Sequence, residues 1–187
     1  MALIGKEIKP FKADAYHNGE FINVSDEDLK GKWNVIMFYP ADFTSVCNSE
    51  LEDLQSNYEN LKSLGVQAYS VSTDSHFTHK ALHDSSEEMG KIAYPMIGDP
   101  SHILSRNFDV LDEEAGRANR ATFIIDPDGV IQGIEISAGN IGRDTDALIN
   151  KIKAAQFVRE NPNQACPAKW KPEDELEKPN LDLAGKI

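Results

Sequence analysis

Two cysteines, Cys47 and Cys166, are the only thiols in a chain of 187 residues. A thiolate is an intrinsically strong nucleophile, so the surroundings of each sulfur decide whether it reacts or is merely buried. Cys47 follows an apolar run at 33–39 and precedes Leu51, Leu54, Tyr58 and Leu61. The run reads as a strand buried on both faces. The steps of three and four predict an amphipathic helix over 47–64, with Gly65 as its stop. Cys47 then falls in the first turn of a helix, where unpaired N–H groups and the helix dipole favour an anion. Position alone fits a reactive thiolate and an inert structural cysteine equally well.

The residues before it add chemistry. Pro40-Ala41-Asp42-Phe43-Thr44-Ser45-Val46-Cys47 has the form P-x-x-x-T-x-x-C. A hydroxyl three residues before the sulfur can both donate and accept, which suits Thr44 to hold an oxygen beside the thiol. Pro40 shields such a pocket without presenting an N–H. A disulfide oxidoreductase with C-x-x-C at the helix start is disfavoured, because position 50 is Glu. Cys166 sits where Pro162, Pro167, Pro172 and Pro179 crowd the end of the chain. A long helix cannot form there, and the segment reads as an arm draped over a surface.

The remaining elements position these groups. Residues 66–73 read as a second strand and 77–89 as a helix. Strands at 121–125 and 130–136 flank Asp126-Pro127-Asp128-Gly129, which is hairpin-turn chemistry. A helix is expected over 145–159, with Asp144 and Asp146 at its positive end. An N-terminal hairpin is expected around Phe21 to Val24. The order strand, helix, strand, helix, hairpin, helix is α/β and outlines a thioredoxin-like fold with an N-terminal β-hairpin and a C-terminal extension. The expected division is a thioredoxin-like domain at 1–160 and an arm at 161–187.

Composition excludes several classes of function. The net charge of −12 argues against binding nucleic acid or an anionic membrane, which need a basic face. No apolar run approaches the ~18 residues of a membrane span. Residues 1–10 carry Lys6, Glu7 and Lys9 and no apolar core, so no secretory leader is expected and the expected location is the reducing cytoplasm. His76, His79 and His83 fall on one helix face, but no carboxylate or thiol is placed to complete a metal site, so a solvated face is expected. Trp33 and Trp170 read as packing anchors. No Gly-rich phosphate loop occurs, and neither a metal nor a cofactor is expected.

The ordered matches go well beyond one motif. They include Phe38-Tyr39-Pro40-Ala41-Asp42-Phe43-Thr44, Tyr69-Ser70-Val71-Ser72-Thr73-Asp74-Ser75-His76-Phe77-Thr78-His79-Lys80 and Met96-Ile97-Gly98-Asp99-Pro100. Arg120-Ala121-Thr122-Phe123, Cys166-Pro167-Ala168-Lys169-Trp170 and Leu181-Asp182-Leu183-Ala184-Gly185-Lys186-Ile187 complete them. Over its whole length the chain resembles the typical 2-Cys peroxiredoxins, and among them the bacterial alkyl hydroperoxide reductase C group. The resemblance implies a peroxidatic Cys47 in a pocket lined by Pro40 and Thr44. It makes Arg120 the cation beside the sulfur, Glu50 the partner of that arginine, and Arg143 a second, outer guanidinium.

It further implies that Cys166 is the resolving cysteine, reaching the peroxidatic sulfur of another subunit through an arm that docks by Trp170 and Leu176. The implied function is reduction of hydrogen peroxide and organic hydroperoxides. The implied partners are a second copy, a decameric ring of dimers, and an NADH-dependent flavoprotein disulfide reductase or thioredoxin-like reductant. A non-enzymatic holdase built on the same ring is the rival reading.

The family pattern is not followed everywhere. Asn48-Ser49-Glu50 stands where the family has Pro-Thr-Glu, and Ser45 where it has an aromatic residue. Proline at a first helical position pre-sets φ, so Asn48 is expected to loosen the turn and Ser45 to make the pocket edge more polar. Residues 112–119 hold no Gly-Gly-Leu-Gly run and the chain does not end in Tyr-Phe. That resembles members resistant to overoxidation.

Overall fold

The computed structural model describes residues 3–174. Leu176 and the motif at 181–187 lie outside the described residues. The chain divides into two compact units, the break falling between Thr145 and Asp146.

The first unit is built on a seven-stranded sheet. Its strands are β1 (Lys12–His17), β2 (Glu20–Ser25), β3 (Trp33–Phe38), β4 (Val66–Ser72), β5 (Met96–Gly98), β8 (Arg120–Ile125) and β9 (Ile131–Ser137), in the order β2-β1-β5-β4-β3-β8-β9. Two short strands, β6 (Leu111–Asp112) and β7 (Arg117–Ala118), pair separately. The helices are α1 (Ser45–Ser56), α2 (Tyr58–Ser63), α3 (His76–His83), α4 (Ile103–Asn107) and, beginning at the end of this unit, α5 (Thr145–Glu160).

β3 lies inside the sheet, parallel to β4 and antiparallel to β8. Every residue from Asn34 to Tyr39 is buried, as a strand covered on both faces requires. Ile36 and Phe38 point to one face with Phe123, Ile125, Val71 and Ile97 in a single apolar cluster. Phe38, Phe108 and Phe123 pack ring on ring, with centroids 4.8–5.8 Å apart. Register then fixes the site. Phe38 at the end of β3 pairs with Ala121, so Arg120, one residue earlier, stands beside the loop that leaves β3 for α1.

The N-terminal hairpin turns at Asn18 and Gly19, whose φ of 49° and 88° suit the two-residue turn that matches strand twist. The second hairpin turns as expected: the Asp126 carboxylate accepts from the N–H groups of Asp128 (2.9 Å) and Val130 (3.0 Å). The parallel β3-α1-β4 unit beside the antiparallel β8-β9 hairpin is the thioredoxin-like arrangement expected from the sequence, with the β1-β2 hairpin added at the sheet edge through β5.

Three local expectations change. The helix expected over 47–64 begins at Ser45, because Thr44 is the extended residue that enters it. It also breaks at Asn57, whose side-chain amide donates to Asp53 O at 3.2 Å, a local bond that competes with helix continuation. The helix expected to reach residue 89 stops at His83. Asp84-Ser85-Ser86 follows, and Ser85 Oγ donates to Leu82 O at 2.6 Å.

In the second unit, residues 161–174 hold no helix or strand. Trp170 is buried and stacks on Phe157 with centroids 5.0 Å apart. Trp33 is half-buried. No helix among the described residues is long and apolar enough to cross a membrane.

Candidate active site

Cys47 is the third residue of α1 and its sulfur is buried, the residue being 1% exposed. The loop that delivers it turns through Phe43, whose φ of 58° puts a non-glycine residue in the left-handed region. Pro40 is half-buried and Thr44 exposed. The Thr44 hydroxyl donates to Ala41 O at 3.1 Å and does not cap the helix. It leaves the hydroxyl's acceptor side unused.

Arg120 is 2% exposed and faces the sulfur. Its Nη1 and Nη2 each lie 3.7 Å from Cys47 Sγ. Nη1 also donates to Glu50 Oε2, and Nη2 to Gly139 O at 2.8 Å. Two bonds from a planar fork fix the guanidinium in the plane that presents both nitrogens to the sulfur. Glu50 is one turn beyond Cys47 on α1.

Arg143 does not touch the sulfur. Its backbone N–H and Nε donate to Glu50 Oε1 at 2.8 and 2.9 Å, and its Nη2 to Oε2 at 2.9 Å. Its Nη1 donates to Thr122 Oγ1 at 3.0 Å. Arg143 thus buttresses Glu50, which in turn aims Arg120. Thr122 and the Gly139 carbonyl went unread in the sequence. The first was accessible there, because Thr122 is two residues from Arg120 on one strand and so shares its face.

The charges in this cluster do not cancel. Among the described residues two guanidiniums share one carboxylate, so one positive charge is uncompensated in a buried place. An uncompensated buried charge is costly, and the group that both Arg120 terminal nitrogens face is Cys47 Sγ. Burial works against ionisation of Glu50, but the hydrogen bonds and charge of Arg143, with the charge of Arg120, outweigh it and hold the carboxyl below its usual range.

The Glu50 shift has a definite sign. A carboxyl lowered in the folded state stabilises the protein fully above its unfolded value, about 4.3, and loses that contribution as pH falls through the folded value. Glu50→Gln, which leaves two buried guanidiniums unpaired, is expected to cost about 3 kcal/mol at pH 7. Urea unfolding from pH 7 to 3 should show the gap between parent and variant persisting to about pH 4 and closing below it. A variant as stable as the parent at pH 7 contradicts this.

A second polar cluster supports the same loop. His79 is fully buried, not on the solvated face expected of it. Its Nδ1 lies 2.8 Å from Asp42 Oδ2 and its Nε2 3.0 Å from Ile97 O. α3 buries the His79–Leu82 stripe, and a buried imidazole is tolerated because both nitrogens have partners. The Tyr39 hydroxyl donates to the other Asp42 oxygen at 2.6 Å, and Asp42 N–H donates to Asp74 at 2.9 Å. Burial, then the charge of Asp42, push the Tyr39 hydroxyl well above its ordinary value. His76 and His83 lie outside this cluster, and the described residues hold no metal-binding group of His, Cys, Asp and Glu.

Asn48 also departs from expectation. Because α1 begins at Ser45, Asn48 is the fourth helical residue, and its N–H donates to Thr44 O at 2.9 Å. It closes the first turn instead of loosening it. In the second unit Cys166 is half-buried, with Sγ 3.8 Å from Ala154 O. Burial pushes this thiol up. A cavity of about 210 Å³ opens beside it, lined in part by Ala154, Lys169 and Trp170.

The AhpC/TSA family matches residues 4–134 of the chain. Alkyl hydroperoxide reductase C of Bacillus subtilis (strain 168) is 66% identical over 187 residues, covering all of both chains. The protein of the same name from Amphibacillus xylanus is 61% identical over 188 residues, again covering all of both. Among solved structures, Enterococcus faecalis AhpC superposes with a TM-score of 0.87 at 50% identity, over 89% of this chain and 100% of that one. A reduced 2-Cys peroxiredoxin of Plasmodium vivax does so with a TM-score of 0.91 at 29% identity, over 97% and 96%. With this match over most of its length and these relatives over all of it, the chain belongs to the AhpC/TSA family.

Proposed function

We propose that the protein is a thiol-dependent peroxidase of the two-cysteine kind, reducing hydrogen peroxide and organic hydroperoxides. The observation that carries this reading is the Arg120 fork, with both terminal nitrogens 3.7 Å from a buried sulfur. The Cys47 thiolate attacks the terminal oxygen of ROOH. The O–O bond breaks, RO⁻ leaves and takes a proton, and Cys47 becomes a sulfenic acid. Negative charge moves from sulfur towards the departing oxygen, and Arg120 spans that path with donors already fixed in place. The Thr44 oxygen accepts a hydrogen bond from the peroxide while its own O–H stays donated to Ala41 O.

Cys166 of a partner subunit then condenses with the sulfenic acid, forming a disulfide and releasing water. An external dithiol, from a flavoprotein disulfide reductase or a thioredoxin-like protein, restores both thiols by exchange. The arm from residue 161 supplies Cys166, and its described residues, 161–174, hold no helix or strand whose ladder would oppose movement. The assembly is a dimer, associating further into a decamer, in the reducing cytoplasm.

Cys166→Ser tests the cycle. The variant should consume one equivalent of peroxide per chain, accumulate sulfenic acid at Cys47 and stop, because no internal thiol resolves it. Steady-state turnover with the dithiol reductant should fall to background in a coupled assay. Turnover equal to that of the parent overturns the two-cysteine cycle. No observation favours a local dithiol mechanism, since Glu50 occupies the place a second thiol needs and is held by Arg120 and Arg143.

A further inference from the structure

The Arg120 fork is aimed by its two terminal nitrogens. Its Nε is buried without a hydrogen-bond partner among the described residues, so nothing at that nitrogen fixes the plane of the guanidinium. The aim rests on two anchors, Glu50 Oε2 for Nη1 and Gly139 O for Nη2. Glu50 is held in turn by Arg143. Gly139 and Arg143 both belong to the stretch 138–144, which holds neither helix nor strand. Donors placed on such a stretch stay in position only where a rigid element holds it.

Thr122 connects that stretch to the sheet. Its Oγ1 accepts from Arg143 Nη1 at 3.0 Å, while the other nitrogens of Arg143 are turned to Glu50. Thr122 is buried within β8, opposite Met37 of β3 on one side and Glu135 of β9 on the other. A core strand paired on both sides opens last, and a β-branched side chain is stiff at χ1. Thr122 also shares a face of β8 with Arg120, two residues away. The contacts therefore close a ring. It runs from Arg120 through Glu50, Arg143 and Thr122, then back along β8 to Arg120.

We infer, resting on the reading of Cys47 as the peroxide-reactive thiol, that Thr122 is a positioning residue for the peroxide reaction. Its oxygen fixes Arg143, and through it Glu50, where they keep both terminal nitrogens of Arg120 on the sulfur. Thr122 acts through these side chains and makes no contact of its own with the reacting atoms. Its effect falls on the step in which charge passes from sulfur to the departing oxygen, because that step depends on the aim of the fork.

Thr122→Val tests this. Valine keeps the branched shape and the strand preference and removes the acceptor, leaving a buried donor of Arg143 unpaired. The second-order rate constant of Cys47 with hydrogen peroxide should fall about 2- to 10-fold, the worth of one hydrogen bond. Alkylation of Cys47 by iodoacetamide, in which no oxygen takes up charge, should fall by less. Thr122→Ser restores the acceptor and should recover the peroxide rate to within about twofold of the parent. A peroxide rate unchanged in T122V, an equal loss with both reagents, or no recovery in T122S overturns the proposal.

A double-mutant comparison separates positioning from packing. Arg143→Ala removes the group that Thr122 holds, so adding Thr122→Val to it should lower the peroxide rate no further. Losses that multiply overturn the proposal. Absence of any sulfenic acid at Cys47 in the peroxide-treated parent overturns the reading of the site instead.

Discussion

Replacing Cys47 by Ser is expected to abolish peroxide consumption, leaving only the rate of the uncatalysed reaction. Serine preserves the shape of the site to within the difference between oxygen and sulfur. Its hydroxyl, however, has no accessible anion near neutral pH and forms no stable oxidised counterpart of a sulfenic acid. The surrounding charges make the loss complete. Among the described residues Arg120 and Arg143 pair with Glu50 alone, and an alcohol at position 47 brings no negative charge to the two guanidiniums. The variant should fold, because Cys47 makes few specific bonds beyond those from Arg120. Peroxide disappearance followed with excess dithiol reductant provides the check. Residual consumption above a tenth of the parental rate means that another group carries the reaction.

The second large effect is expected at Arg120. Arg120→Lys keeps a positive charge and loses the fork. The parent directs two nitrogens at one sulfur while anchoring them on Glu50 and Gly139 O. A lysine ammonium is a single flexible charge and cannot make both anchors and both contacts. Loss of one preorganised donor from a developing anion costs about 10²–10³ in rate, and the second-order rate constant of Cys47 with hydroperoxide should fall by that factor. Arg143→Lys should fall by about tenfold or less, since Arg143 acts on the sulfur only through Glu50. Stopped-flow measurement of both variants separates direct from indirect roles. Comparable losses, or an Arg120→Lys within threefold of the parent, contradict the geometry described here.

Much of the scaffold was legible because long periodic segments announce themselves. The buried run of β3 and the spaced leucines of α1 place Cys47 at a strand-to-helix corner from residue types alone. The hairpin at Asp126–Gly129 was equally plain. β5 and α4 were not, since three and five residues are too short to show a period. α1 starts two residues early because an extended Thr44 can enter a helix without offering a side-chain cap, which leaves no signature in residue type.

The site was legible in its residue types more than in its geometry. Thr44 is legible from its spacing to Cys47, whereas Arg120, Glu50 and Arg143 rest on the resemblance. Nothing local says that Arg143 buttresses Glu50 from 93 positions away or that a loop carbonyl at Gly139 completes the fork. His79 misled for the same reason. Its partner Asp42 lies 37 positions earlier, and helical spacing alone made three histidines look like one solvated face. Asn48 is the fourth helical residue and not the first, and the effect of losing proline depends on which helical position it occupies.

The most direct measurement is peptide mass analysis of the reduced protein after one equivalent of hydroperoxide, quenched at increasing times. Sulfenic acid should appear first at Cys47, followed by a dithiol-reversible disulfide joining the Cys47 peptide of one chain to the Cys166 peptide of another. Peroxide consumed with Cys47 unmodified, or with Cys166 oxidised first, would contradict the assignment of the reacting sulfur to the Arg120 fork.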